Sequence, residues 1–211
     1  MPNKIILKKK ITNFYKRIEI PGDKSISIRW VLISSLASGV STAKNLLISD
    51  DVLASIRAIK KLGVKVIVKK NTCKIYGVGV NGYKYKKNLV IDAQNSGTVG
   101  RLIIGILIDT PFPIKIIGDK SLSKRDFKRI AKPLSKFGVS FKLNKNRNLP
   151  LVLNGSQKLK AIRYYENKGS AQCKSSVIFG GIKTAGKTII KAKKSRNHTE
   201  LMFKHLKLPI N

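Results

Sequence analysis

Apolar residues recur along this chain in a pattern that repeats. From Asp51, the residues Val52, Ile56 and Ile59 fall on one face of a helix closing at Leu62. Asp51 stands at the capping position and Gly63 where a left-handed C-cap belongs. The same stretch returns from Asp126 to Phe137 and from Asn197 to Leu208, and the interval is 11 positions in all three copies. An internal repeat is therefore the first organisational fact. Upstream of each copy a more uniformly apolar helix is expected, over 27–37, 99–108 and 171–182. Short β-branched runs predict strands between the helices, over 42–47 (after a break at Gly39), 114–117 and 188–191. Alternating residues predict hairpins pairing 65–69 with 72–76 and 140–143 with 150–153.

The unit reads βαβαββ, an α/β (α+β) class, with copies over about 21–88, 89–155 and 156–211. The third copy has no closing strands, which predicts an unpaired sheet edge and a chain cut short. Residues 5–7 and 15–20 read as strands outside the scheme. They predict a larger parent molecule.

Composition narrows the function classes. Of 211 residues, 44 are Lys or Arg and 10 are Asp or Glu, a formal charge of +34, yet 42% are hydrophobic, so the chain folds. Such a charge seeks anions: nucleic acid, acidic lipid or phosphorylated substrates. The basic residues are mostly lysines in short clusters such as Lys8-Lys9-Lys10, without the arginine forks and interleaved aromatics of a base-reading surface. Specific nucleic-acid binding is not expected, and many lysines read as solvated faces. No apolar run approaches the ~18 residues of a membrane span, and no secretory h-region opens the chain. Two separated cysteines, Cys73 and Cys173, suit a reducing cytoplasm.

Candidate chemistry gathers at the helix starts. Pro21-Gly22-Asp23-Lys24-Ser25-Ile26-Ser27-Ile28-Arg29 opens the first apolar helix, and helix N–H groups with a lysine and hydroxyls make an anion site. Asn95-Ser96-Gly97-Thr98-Val99-Gly100-Arg101 opens the second, and Ser170-Ala171-Gln172-Cys173-Lys174 the third. The alternative is three ordinary caps, repeated because the fold repeats. Arg125 and Arg196 precede the amphipathic helices, where guanidinium forks suit carboxylate and phosphate. Gly181 to Thr188 fits the letters of a P-loop, but it follows a helix and leads into a strand, the reverse of a phosphate-binding loop. Gly-Asp-Lys-Ser also occurs twice, at 22–25 and 118–121, at different points of the repeat. His198 and His205, seven apart and without acidic or cysteine neighbours at ligand spacing, predict no metal. Asp50-Asp51 is the one adjacent acidic pair, explained by capping, and Glu200 and Cys173 read as surface and core.

Six ordered segments, PGDKSISIR (21–29), SDD (49–51), NSGTVGR (95–101), GDKSLSKRD (118–126), GSAQCKS (169–175) and SRNHTE (195–200), resemble the 5-enolpyruvylshikimate-3-phosphate synthases (3-phosphoshikimate 1-carboxyvinyltransferases). The resemblance implies an enolpyruvyl-transferase-type domain of three βαβαββ repeats, the third truncated. Residues 21–211 would be the first domain, and residues 1–20 strands of an absent second one. It implies enolpyruvyl transfer from phosphoenolpyruvate to the 5-hydroxyl of shikimate 3-phosphate, a step of aromatic amino acid biosynthesis, with no cofactor. Lys24 would contact both substrates and act catalytically. Ser25, Arg29, Ser170, Ala171, Gln172 and Arg196 would hold shikimate 3-phosphate. Asn95, Gly97, Arg125 and Gln172 would face phosphoenolpyruvate. With Lys24, Arg29, Arg125 and Arg196, Lys174 would complete five phosphate-facing charges. Departures from the family pattern are Ile28, Asp126 and Val99-Gly100, none of which removes an anion-binding group. The family's acid–base groups lie in its second domain, so half a site is expected, with a separate chain as one possible source of the rest. The competing readings are a UDP-N-acetylglucosamine enolpyruvyl transferase, a basic nucleic-acid module on the same fold, and an inactive relic.

Overall fold

The computed structural model describes residue 6, residues 8–10 and residues 12–210. Six helices and nine strands follow in the order α1 (Lys24–Leu36), β1 (Ser38–Ala43), α2 (Asp50–Lys61), β2 (Lys65–Lys69), β3 (Thr72–Val78), β4 (Val90–Asp92), α3 (Gly97–Ile106), β5 (Ile114–Ile117), α4 (Lys128–Ser135), β6 (Ser140–Leu143), β7 (Leu151–Asn154), β8 (Arg163–Glu166), α5 (Ala171–Gly181), β9 (Ile189–Ala192) and α6 (His198–His205) among the described residues. A short 3-10 turn, Leu122–Lys124, precedes α4.

The strand pairings repeat as the sequence does. β4 and β5 are parallel neighbours, as are β8 and β9. β3 lies antiparallel between β1 and β2, and β7 lies antiparallel between β5 and β6. The second unit thus carries the full βαβαββ order. In the first unit, the described residues 12–20 form no strand and are exposed, contrary to the strand expected over 15–20. Among the described residues no strand lies beside them to supply a ladder of hydrogen bonds, although the Ile20 carbonyl accepts from Asn45 Nδ2 at 3.3 Å. Ile5 and Leu7 of the other expected strand lie outside the described residues. Gly39 does not break the chain: it sits inside β1 at φ +144°, paired with Gly77, and β1 ends at Ala43. Gly63 and Gly138 take the left-handed conformation (φ +87° and +103°) at the ends of α2 and α4. The Gly181–Thr188 stretch leaves α5 and enters β9, the reversed context anticipated.

Two helix types build the core. α1, α3 and α5 are buried on nearly every side, with apolar and small residues all round the axis and buried polar side chains such as Arg29, Ser35 and Ser176 held by internal hydrogen bonds. α2, α4 and α6 are amphipathic and cover them from outside. Each inner helix starts on a side-chain cap. Asp23 accepts from Ile26 N–H at 2.7 Å, Ser96 from Val99 N–H at 3.3 Å and Ser170 from Cys173 N–H at 3.3 Å. α3 and α5 approach so closely that a Cβ on Gly105 would lie 2.2 Å from the Ser176 carbonyl oxygen. Nearby, Ser176 Oγ donates to the Arg101 carbonyl at 2.8 Å.

The inner helices run in one direction, and their C-terminal ends gather around Lys183. Its ammonium lies 2.7 and 2.9 Å from the Asp109 carboxylate oxygens and 2.6 Å from the Val80 carbonyl, joining all three units. A cation suits that end of the helices. The Lys183 side chain is only 2% exposed, so an unpaired charge there is costly.

Gly105→Ala is expected to destabilise the protein by about 1–3 kcal/mol through overpacking, read as a lower midpoint in urea unfolding with an unchanged slope. Asp109→Ala is expected to cost roughly 3 kcal/mol by stranding the Lys183 charge. Adding Lys183→Met should restore most of that loss, and a double variant no more stable than Asp109→Ala would contradict the account.

Candidate functional site

The N-terminal ends of α1, α3 and α5 open onto one cleft of about 600 Å³. α1 brings Lys24, Ser25 and Arg29; the α3 start brings Asn95, Gly97 and Thr98; the α5 start brings Gly169, Ser170, Ala171 and Gln172. Arg125, just past the 3-10 turn, and Ser195, Arg196 and His198, at the start of α6, complete the rim with Asp51. Of the sequence-predicted site residues, Lys24, Ser25, Arg29, Asn95, Gly97, Arg125, Ser170, Ala171, Gln172 and Arg196 line the same cleft, and Lys174 does not.

The side chains are arranged by short-range partners. Lys24 Nζ lies 3.1 Å from Asp51 Oδ2, with the lysine side chain 53% exposed. This corrects the capping role expected of Asp51. The N-cap of α2 is Ser49, and Asp51, inside the first turn, turns to the nearby ammonium. Arg125 Nη2 donates to Asn95 Oδ1 at 3.2 Å. Gly97 is where two guanidinium groups come close: a Cβ would lie 2.9 Å from Arg101 Nη1 and 3.1 Å from Arg125 Nη1. The amide of Gln172 is held at both ends. Its Oε1 accepts from Arg101 Nη1 and its Nε2 donates to Thr98 Oγ1 at 3.0 Å.

Arg29 is buried to 4% exposure. Its Nε donates to Thr199 Oγ1 at 2.7 Å, Nη1 to the Ser25 carbonyl at 3.0 Å and Nη2 to Ser175 Oγ at 3.3 Å. Burial pushes its pKa down, Glu200 pulls it back up and Arg196 lowers it further. Burial likewise lowers Arg101, helped by Arg129. Both groups stay cationic at neutral pH because the guanidinium starts so high. Two of the five N–H bonds of Arg29 have no partner among the described residues.

Lys174 does not reach the cleft. Its ammonium pairs with Glu200 Oε1, in the first turn of α6, at 2.5 Å, and neither residue lines the cleft, so the fifth phosphate-facing charge is withdrawn. The turn before α5 is fixed from beneath: buried Glu166 accepts from Ser170 N–H at 2.6 Å and from Lys168 N–H at 3.2 Å. Thr199, Ser175, Arg101 and Glu166 all support the site, and sequence reading gave none of them a role. Arg101, Ser175 and Thr199 lay within segments already singled out, without a role of their own. Glu166 lay outside those segments, although the amides it accepts from, of Lys168 and Ser170, are only two and four residues further on.

The cleft is suited to anions. Three helix N-termini each offer about half a positive charge, and Lys24, Arg29, Arg125 and Arg196 face a single lining carboxylate, Asp51. That carboxylate is already paired.

Comparisons with known proteins agree with this geometry. The family model described as EPSP synthase (3-phosphoshikimate 1-carboxyvinyltransferase) matches residues 8–211. A 3-phosphoshikimate 1-carboxyvinyltransferase of Caldicellulosiruptor bescii is 44% identical over 189 residues, covering 88% of this chain and 43% of that protein. One from Streptococcus agalactiae serotype Ia is also 44% identical, covering 89% and 44%. A solved EPSP synthase from Acinetobacter baumannii superposes with a TM-score of 0.84 at 35% identity, over 89% of this chain and 42% of that one. The chain spans less than half the length of these relatives. It belongs to the EPSP synthase family.

Proposed function

We propose that this chain forms the wall of an enolpyruvyl-transfer site that holds shikimate 3-phosphate. The observation that carries the reading is the convergence of three inner-helix N-termini and four cations on one cleft. A phosphate seated there accepts hydrogen bonds from backbone N–H groups, the Ser170 hydroxyl and the Arg196 fork. Ser170 Oγ already accepts from Cys173 N–H, which leaves its proton free to donate. Ser25, Ala171 and Gln172 frame the ring, with Gln172 held by Arg101 and Thr98. Arg29 contributes its two free N–H bonds while tying α1 to α5 and α6.

Phosphoenolpyruvate lies on the Asn95–Gly97 side of the cleft in this proposal, against Arg125 and Gln172. Lys24 stands between the two substrates and carries the catalytic role. Its ammonium is shared with Asp51 in the free chain, so an incoming phosphate or carboxylate competes for it. The acid–base groups come from a second domain that closes over the cleft, in the same polypeptide or a separate one. No cofactor enters the scheme. Enolpyruvyl transfer in aromatic amino acid biosynthesis, in the cytoplasm, is the function this wall serves.

Calorimetric titration of the 211-residue protein with shikimate 3-phosphate is expected to show weak, saturable binding, and phosphate release with phosphoenolpyruvate present should be absent. Turnover by this chain alone would sink the half-site reading, and a flat titration would sink the substrate assignment. Variants should separate binding from scaffolding. Arg196→Ala, at an exposed position, is expected to weaken binding about tenfold, the loss of one charge-assisted contact, at an unchanged unfolding midpoint. Arg29→Met is expected to lose binding and also about 2 kcal/mol of stability, since it removes three internal hydrogen bonds.

A further inference from the structure

A second cavity, of about 460 Å³, lies on the other side of the 166–170 turn, between α4 and β8. Lys128 and Lys132 in α4 and Lys136 at its C-cap stand at successive four-residue steps, on one face of the helix, and all three line the cavity. Arg129 and Lys168 add two further cations, and Tyr165, 59% exposed, forms part of the wall.

The carboxylates nearby are engaged with backbone. Asp126 accepts from Lys128 N–H at 2.8 Å, and Glu166 accepts from Lys168 and Ser170 N–H. Neither forms an ion pair with these cations, although they balance part of the local charge.

Arg129 is the informative residue. It is half-buried, its Nε is fully enclosed, and its guanidinium donates to no described residue. Of the other arginines withdrawn from solvent, Arg29 donates through Nε, Nη1 and Nη2, and Arg101, whose Nε is likewise enclosed without a partner, donates through Nη1 to Gln172. A half-buried guanidinium with no acceptor, surrounded by like charge, lacks what such a group requires. An oxyanion in the cavity supplies it.

We infer that this cavity is an anion site for a phosphate group, with Arg129 as its principal donor and the α4 lysines and Lys168 neutralising its charge. A planar arginine fork matches two oxygens of a tetrahedral oxyanion, while lysines act as point charges around it. The open side, at Tyr165, admits either free phosphate or the phosphate end of a larger molecule. The site shares no lining residue with the helix-end cleft, and it does not rest on the function proposed for that cleft.

Site-resolved amide NMR tests it, with inorganic phosphate as the probe at constant ionic strength. Saturable shifts at the Tyr165 and Lys168 amides are expected, separable from any at Gly97 and Ala171 in the main cleft. Arg129→Met should weaken the Tyr165 and Lys168 response about tenfold, while Lys142→Met, which removes an exposed charge on β6, should leave it intact. Arg129→Gln repeats the test should the methionine variant fold poorly, as judged from its amide spectrum. A phosphate monoester run in parallel distinguishes free phosphate from a larger ligand by which of them saturates at lower concentration. Non-saturating shifts, an undiminished response without Arg129, or an equal loss in Lys142→Met would overturn the assignment.

Discussion

The structure depends on three buried helices that run the same way. Parallel alignment places three partial positive charges at one end and three partial negative charges at the other, an arrangement that antiparallel helices would avoid. Both ends are answered by chemistry. At the C-terminal ends Lys183 brings a cation, held by Asp109 and the Val80 carbonyl. At the N-terminal ends the backbone leaves N–H groups facing an open cleft, and Lys24, Arg125 and Arg196 add to that field rather than cancel it. One end is closed by the protein itself. The other is left for an anion.

Much of this was legible because the sequence repeats. A helix wrapped in apolar residues and a helix with one apolar face, at fixed spacing, predict an inner and an outer layer. The structure has them, with α3, α5 and the hairpin strands within a few residues of expectation. The candidate site followed from the same regularity: capping residues mark helix starts, and a threefold fold brings equivalent starts together. Where the repeat failed, so did the reading. The alternation over 15–20 suggested a strand, but a strand exists only with a partner, and residues 12–20 have none among the described residues.

The site's supporting contacts were not legible, for a different physical reason. Arg29 is fixed by Thr199 and Ser175, which lie 170 and 146 residues away along the chain. Lys174 looked like a cleft residue from its motif, yet it pairs with Glu200 of α6 and does not line the cleft. Asp51 looked like a cap, yet an ammonium 27 positions earlier in the chain attracts it. In each case a charged or hydroxyl side chain chose among partners that only the folded chain brings within reach. Local pattern fixes which residues are near helix ends; it does not fix which of them pair with one another.

A cleft with one wall also limits how strongly its charges act. Lys24 is half in solvent and Arg125 and Arg196 are exposed, so their interaction with an anion is screened by water and salt. The same cations would act far more strongly in a site from which water is excluded. Excluding it needs a surface opposite the helix ends, bearing groups complementary to whatever the wall leaves unbound. The solved relative has more than twice the length this chain matches, so chain for such a surface exists within the family. Because the single lining carboxylate is paired with Lys24, a surface that closed over the helix ends would meet a wall whose uncompensated charge is positive, and excluding water would strengthen that field most where the helix N-termini open.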